Sequence, residues 1–131
     1  TTLGKDDHEN PALLSSCGRA VPLVDIRLHP RNTETGEVEV RSPYLLTEYF
    51  CNEEATSEAI RDGWLRTGDL AKIENGYLFL VDRAKDMIIS GGMNVYSTEV
   101  EAALRTFEGV RDVAVVGIPH DDWGEAVTAV V

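Results

Sequence analysis

Apolar and polar residues first settle into a pattern at Val24, Ile26 and Leu28, which alternate with Asp25 and Arg27. A period of two is that of a half-buried strand. Val38-Glu39-Val40-Arg41 alternates again after turn-forming residues at Pro30 to Gly36, so residues 24–41 predict a β-hairpin with a long tip, closed by Pro43. Asn52-Glu53-Glu54 predicts a helix start, a capping side chain followed by two acids at the positive end of the dipole. That helix is expected to reach about Arg61, to stop at Asp62-Gly63 and, with only Ala55, Ala59 and Ile60 apolar, to lie on the surface. Strands are expected near Leu70–Ile73 and Tyr77–Val81, joined by Asn75-Gly76, a pair suited to the two positive φ values of a type I′ turn.

After Val81 the texture changes. Four charges fall in Asp82-Arg83-Ala84-Lys85-Asp86, followed by Met87-Ile88-Ile89 and Ser90-Gly91-Gly92. Thr98-Glu99-Val100-Glu101 matches a capping box, and Val100, Ala103, Leu104 and Phe107 form one helical face that Gly109 ends. Val113–Ile118 and Ala126–Val131 are β-prone runs. The fold class expected is α+β: a β-rich, hairpin or barrel-like subdomain over residues 1–84, then an incomplete β-α-β-β lid domain over 85–131.

The chain has 131 residues, 43% hydrophobic and 27% charged, a globular composition rather than a disordered one. Its net charge of −11 is spread along the chain and repels phosphate backbones and anionic lipid, so nucleic acid is not an expected partner. No apolar run approaches the ~20 residues of a spanning helix. The polar start lacks a signal-peptide core and an initiator Met, which fits a piece of a longer protein. Cys17 and Cys51 match no zinc spacing, and two unframed thiols fit a reducing cytoplasm. His8, His29 and His120 are scattered beside turn residues, and no Gly-x-Ser-x-Gly elbow surrounds Ser15-Ser16.

Three stretches could carry chemistry. In Gly63-Trp64-Leu65-Arg66-Thr67-Gly68-Asp69 an ionised carboxylate follows a glycine, and its two oxygens can accept from both hydroxyls of a ribose; the plain alternative is a β-turn. In Asp82–Asp86, Arg83 offers a fork for phosphate or sugar oxygens and Lys85 a mobile charge; the alternative is a solvated linker. Ser90-Gly91-Gly92-Met93-Asn94 offers a slim backbone for a thin ligand or a hinge; it lacks the Gly-Lys-Ser/Thr of a P-loop, and its alternative is a strand-to-helix turn.

In order and spacing, these stretches, with Gly18-Arg19-Ala20-Val21-Pro22, Gly36 to Pro43 and Glu99-Val100-Glu101, closely resemble the AMP-forming acyl-CoA synthetase family. The resemblance implies coupling of a carboxylic acid to ATP with Mg2+, then transfer of the acyl group to coenzyme A. It implies that Asp69 binds the ribose of ATP or AMP, that Arg83 contacts ribose and phosphate, and that Lys85 is the hinge of a rotating lid. It implies that Gly91 and Gly92 line the pantetheine path and that Trp123 touches coenzyme A. Ser97 stands where the family usually has Pro, a tolerable change at a cap. The family's phosphate loop, magnesium-binding acid and acyl pocket lie upstream, and its catalytic lysine downstream. The piece alone is therefore expected to be inactive, its parent to take a fatty or aryl acid. The alternatives are an amino-acid adenylation domain of a peptide synthetase and a truncated, non-catalytic nucleotide- or partner-binding module.

Overall fold

The front alternation becomes a hairpin in the computed structural model, which describes residues 1–30 and 33–131. Strand β1 (Asp25–His29) pairs antiparallel with β2 (Gly36–Arg41), from Asp25↔Arg41 to His29↔Glu37. The expected turn over 30–36 includes Arg31 and Asn32, which lie outside the described residues. Helix α1 (Glu53–Ala59) begins as expected, with the Asn52 side chain accepting from the Ala55 N–H at 3.0 Å, and buries none of its residues.

Its end differs. Ile60–Arg61 is already extended as β3, and Asp62 (φ 51°) with Gly63 (φ 75°) turns the chain directly into β4 (Trp64–Glu74). Asp62-Gly63 is thus a hairpin turn, pairing Ile60↔Leu65 and Arg61↔Trp64, rather than a helix stop. Asn75 (φ 51°) and Gly76 (φ 83°) then turn β4 into β5 (Tyr77–Arg83), as their sequence predicts. The sheet runs β1-β2-β4-β3 with β5 also on β4.

Two compact units divide the chain, Thr1–Leu80 and Val81–Val131. In the first, Val38, Ala71 and Leu78 form the core, with Cys17, Ile26, Leu28 and Val40 packed on it. Glu37 and Glu39 are buried beside Val38, although alternation would turn them to water. Burial is tolerable because each has an arginine: Arg66 on Glu37, and Arg27 donating to Glu39 at 2.5 Å.

In the second unit β6 (Ile88–Ser90) and β7 (Met93–Val95) form a hairpin before α2 (Ser97–Leu104), followed by β8 (Ala114–His120) and β9 (Gly124–Val130). The order is β7-β6-β9-β8, one strand more than the expected β-α-β-β. Met93-Asn94-Val95 was too short to show a period. Ile88, Val113 and Val115 form the core under Val100 and Leu104 of α2. Burying a side chain such as Ile88, which is 2% exposed, contributes roughly 1.5–3 kcal/mol.

The expected capping box does not form. Ser97 opens α2 and its hydroxyl donates to Asp82 at 3.0 Å, while the Thr98 hydroxyl donates to the Val81 carbonyl at 2.6 Å. Glu101 reaches outward instead of back and accepts from the Val115 N–H at 3.0 Å. Phe107 does not join the apolar face, because α2 ends at Leu104 in tighter turns (Thr106 N–H to Ala103 carbonyl, 3.2 Å), leaving Phe107 exposed.

Candidate functional site

Asp69 lies half-buried on β4 in a break of the β2–β4 ladder. Glu37↔Leu70 and Glu39↔Arg66 are paired, which leaves Thr67, Gly68 and Asp69 opposite Val38 alone. Such a bulge re-aims side chains and recurs beside functional sites. Side chains replace the lost ladder bonds. Glu37 Oε1 accepts from the Gly68 N–H at 3.1 Å, and Thr67 Oγ1 donates to the Val38 carbonyl at 2.9 Å and accepts from the Asp69 N–H at 3.1 Å. Arg66 donates through Nε (2.9 Å) and Nη2 to Glu37 Oε2, and this carboxylate pushes the Arg66 pKa further up. The plain β-turn is therefore not what Thr67-Gly68-Asp69 forms. A recess of about 350 Å³ opens beside the bulge, lined by Glu37, Arg66, Thr67 and Gly68 and by Tyr49 and Glu58.

Arg83 is the exposed last residue of β5, and its carbonyl accepts from the N–H groups of Asp86 (3.0 Å) and Met87 (3.2 Å). Those bonds close a turn in which Lys85 is exposed. Lys85 also lines a cleft of about 390 Å³ with Ser97, Glu101 and Glu125. Arg83 and Lys85 belong to the second unit, and Asp69 to the first.

Gly91 and Gly92 form the tip of the β6–β7 hairpin rather than a strand-to-helix turn, with φ of 59° and 81°. A Cβ on either would meet nothing within 4 Å. The structure brings this tip to Trp123: the Gly91 N–H donates to the Trp123 carbonyl at 2.9 Å, and Ser90 pairs with Gly124. Trp123 is 57% exposed and stacks on His120 with ring centroids 4.9 Å apart. The three expected coenzyme A residues, Gly91, Gly92 and Trp123, thus share one end of one sheet, with His120 stacked on Trp123.

Sequence reasoning gave no individual role to Glu37, Asp82 or Glu125. Glu125 Oε2 accepts from the Ile89 N–H at 2.6 Å, passing so close to Gly117 that a Cβ there would lie 2.6 Å from Oε1. A charged residue inside a short strand was the available signal in all three. No group of three His, Cys, Asp or Glu able to hold a metal ion occurs among the described residues.

Residues 99–131 match the AMP-binding enzyme C-terminal domain. A medium/long-chain-fatty-acid–CoA ligase of Mycobacterium tuberculosis is 45% identical over 138 residues, covering 100% of this chain and 24% of that protein. The o-succinylbenzoate CoA synthetase of Bacillus subtilis, solved with its acyl-adenylate intermediate, matches at TM-score 0.84 and 34% identity over 98% of this chain and 28% of that one. The amide bond synthetase of Marinactinospora thermotolerans matches at TM-score 0.80 and 42% identity over 95% and 27%. These are adenylate-forming, AMP-binding enzymes, and this chain belongs to their family. It spans about a quarter of the length of the relatives it matches. No helix among the described residues is long and apolar enough to cross a membrane.

Proposed function

We propose that this chain is the nucleotide-facing end of the large domain, residues 1–84, and the first part of the lid, from residue 85, of an ATP-dependent acyl-CoA synthetase. The reaction has two halves. A carboxylate oxygen attacks the α-phosphorus of ATP and pyrophosphate leaves. The thiol of coenzyme A, losing its proton, then attacks the acyl carbon, and AMP leaves with the electron pair of the broken acyl–oxygen bond. Mg2+ would be held by residues outside this chain.

The observation that carries the reading is the bulge at Thr67-Gly68-Asp69. Three residues of β4 leave the ladder, and side chains of the bulge and of Glu37 take the N–H groups of Gly68 and Asp69, which supports a carboxylate held in place before a ligand arrives. Asp69 accepts from both ribose hydroxyls, and each such charge-assisted bond contributes ~1.5–3 kcal/mol. Arg83 contacts ribose and phosphate, Lys85 is the lid hinge, and Gly91, Gly92 and Trp123 line the coenzyme A side. A fatty or aryl acid is the substrate class, as in the long-chain-fatty-acid–CoA ligase and feruloyl-CoA synthase relatives. The similarity to an amide bond synthetase keeps an amine as the second acceptor for the same adenylate.

The test is a chimera in which residues 1–131 replace the matching span of the Mycobacterium tuberculosis fatty-acid ligase. Pyrophosphate release with a fatty acid, lost on Asp69→Ala, is expected. A folded chimera in which Asp69→Ala keeps full activity would contradict the reading.

A further inference from the structure

The ribose contact assigned to Asp69 requires something to hold that residue in place, and the residues that do so are not in the motif itself. Glu37 is 8% exposed, and its two oxygens are divided between separate tasks. Oε1 takes the Gly68 N–H at 3.1 Å, a donor that the bulge has removed from the ladder. Oε2 takes Nε of Arg66 at 2.9 Å and its Nη2. One carboxylate therefore fixes both the residue that enters the bulge and the glycine at its centre. Thr67 Oγ1 completes the clamp by bridging the Val38 carbonyl and the Asp69 N–H. Gly68 sits at φ 75°, in the left-handed region open to glycine, and the Glu37 carboxylate is the acceptor its N–H meets there.

A buried carboxylate is costly unless paired, and a surface strand could have used Thr or Val here at less cost. The bonds of Glu37 go to the Gly68 N–H and to the side chain of Arg66, at the centre and at the entry of the bulge. We propose that Glu37 is a positioning residue for nucleotide binding: it holds the Thr67–Asp69 bulge in the shape that presents the Asp69 carboxylate to the ribose hydroxyls. The inference rests on the ribose role of Asp69 proposed above, and its test separates the two.

The test uses the 131-residue chain and its Glu37→Ala, Glu37→Gln and Asp69→Ala variants, read by amide exchange and by titration with AMP followed in NMR spectra. Glu37→Ala is expected to lower protection of the Gly68 amide about tenfold or more and to weaken AMP about tenfold, while amides of the β1–β2 ladder keep theirs. Glu37→Gln, which keeps an acceptor for Gly68 but loses the charge facing Arg66, is expected to fall between. It carries the test alone should Glu37→Ala fail to fold. AMP binding by Glu37→Gln, or by folded Glu37→Ala, that equals the parent's overturns the positioning role, and the Asp69 reading survives if Asp69→Ala still abolishes binding. An AMP response that survives Asp69→Ala, or its absence in the parent chain, overturns the ribose reading and this inference with it.

Discussion

The Ser97 hydroxyl donates to the Asp82 carboxylate at 3.0 Å and fastens the first turn of α2 to the end of β5. Asp82 also accepts from the Arg83 N–H at 2.8 Å and sits 3.5 Å from the Thr98 nitrogen, so a strand residue does the work of a helix cap. Asp82→Ala removes these bonds from a residue only 8% exposed. A loss of about 2 kcal/mol in the stability of the second unit is expected by chemical denaturation, with a smaller loss for Asp82→Asn.

That fastening bears on the hinge. Val81 and Asp82 precede Lys85, yet both bond to α2, which follows it. If Lys85 is the pivot, these bonds part when the lid turns. Ser97→Ala with Thr98→Val in the chimera is then expected to change the ratio of the adenylation and thioester rates by several-fold, measured as pyrophosphate release against acyl-CoA formation. Equal effects on both rates would place the pivot elsewhere.

Gly117 and Gly91 are expected to respond to alanine for different reasons. At Gly117 the new methyl would meet Glu125 Oε1 at 2.6 Å and Ile88 Cγ2 at 3.1 Å, displacing the carboxylate from the Ile89 N–H. A destabilisation of about 1–3 kcal/mol follows. At Gly91 there is space but a φ of 59°, and the cost is about 1 kcal/mol of backbone strain. Thermal unfolding of the two variants checks the order.

Asp7 is expected to make the attachment of the amino-terminal segment pH-sensitive. The Tyr77 hydroxyl donates to it at 2.5 Å and the Gly4 N–H at 2.7 Å, and together they hold its pKa below the ordinary 3.8. A depressed carboxylate pKa contributes stability above the unfolded value and loses it as pH falls through the folded one. A carboxyl titration by NMR should therefore give an Asp7 midpoint below that of an unfolded peptide, with the Tyr77 ring signals moving alongside it. Asp7→Asn should abolish that movement.

Local chemistry was the most legible part of the sequence. The β1–β2 hairpin, the Asn52 cap and the Asn75-Gly76 turn each depend on neighbouring residues, so a short window contained their cause. The features that needed partners from afar were not visible. Thr98 and Glu101 spelled a capping box, but Val81 and Val115 offered them better partners. Nothing in the local pattern marks Glu37 and Glu39 as buried, because their partners Arg66 and Arg27 lie on neighbouring strands. Asp69 was singled out by its motif, whereas the bulge around it is a property of β2 and β4 together.

The central claim is that Asp69 recognises the two ribose hydroxyls. Titrating the chain with AMP and, separately, with 2′,3′-dideoxyadenosine monophosphate tests it most directly. The account predicts that AMP shifts the Gly68 and Asp69 amide signals, that the dideoxy compound leaves them nearly still, and that Asp69→Ala responds to neither. Equal shifts with both nucleotides would contradict it.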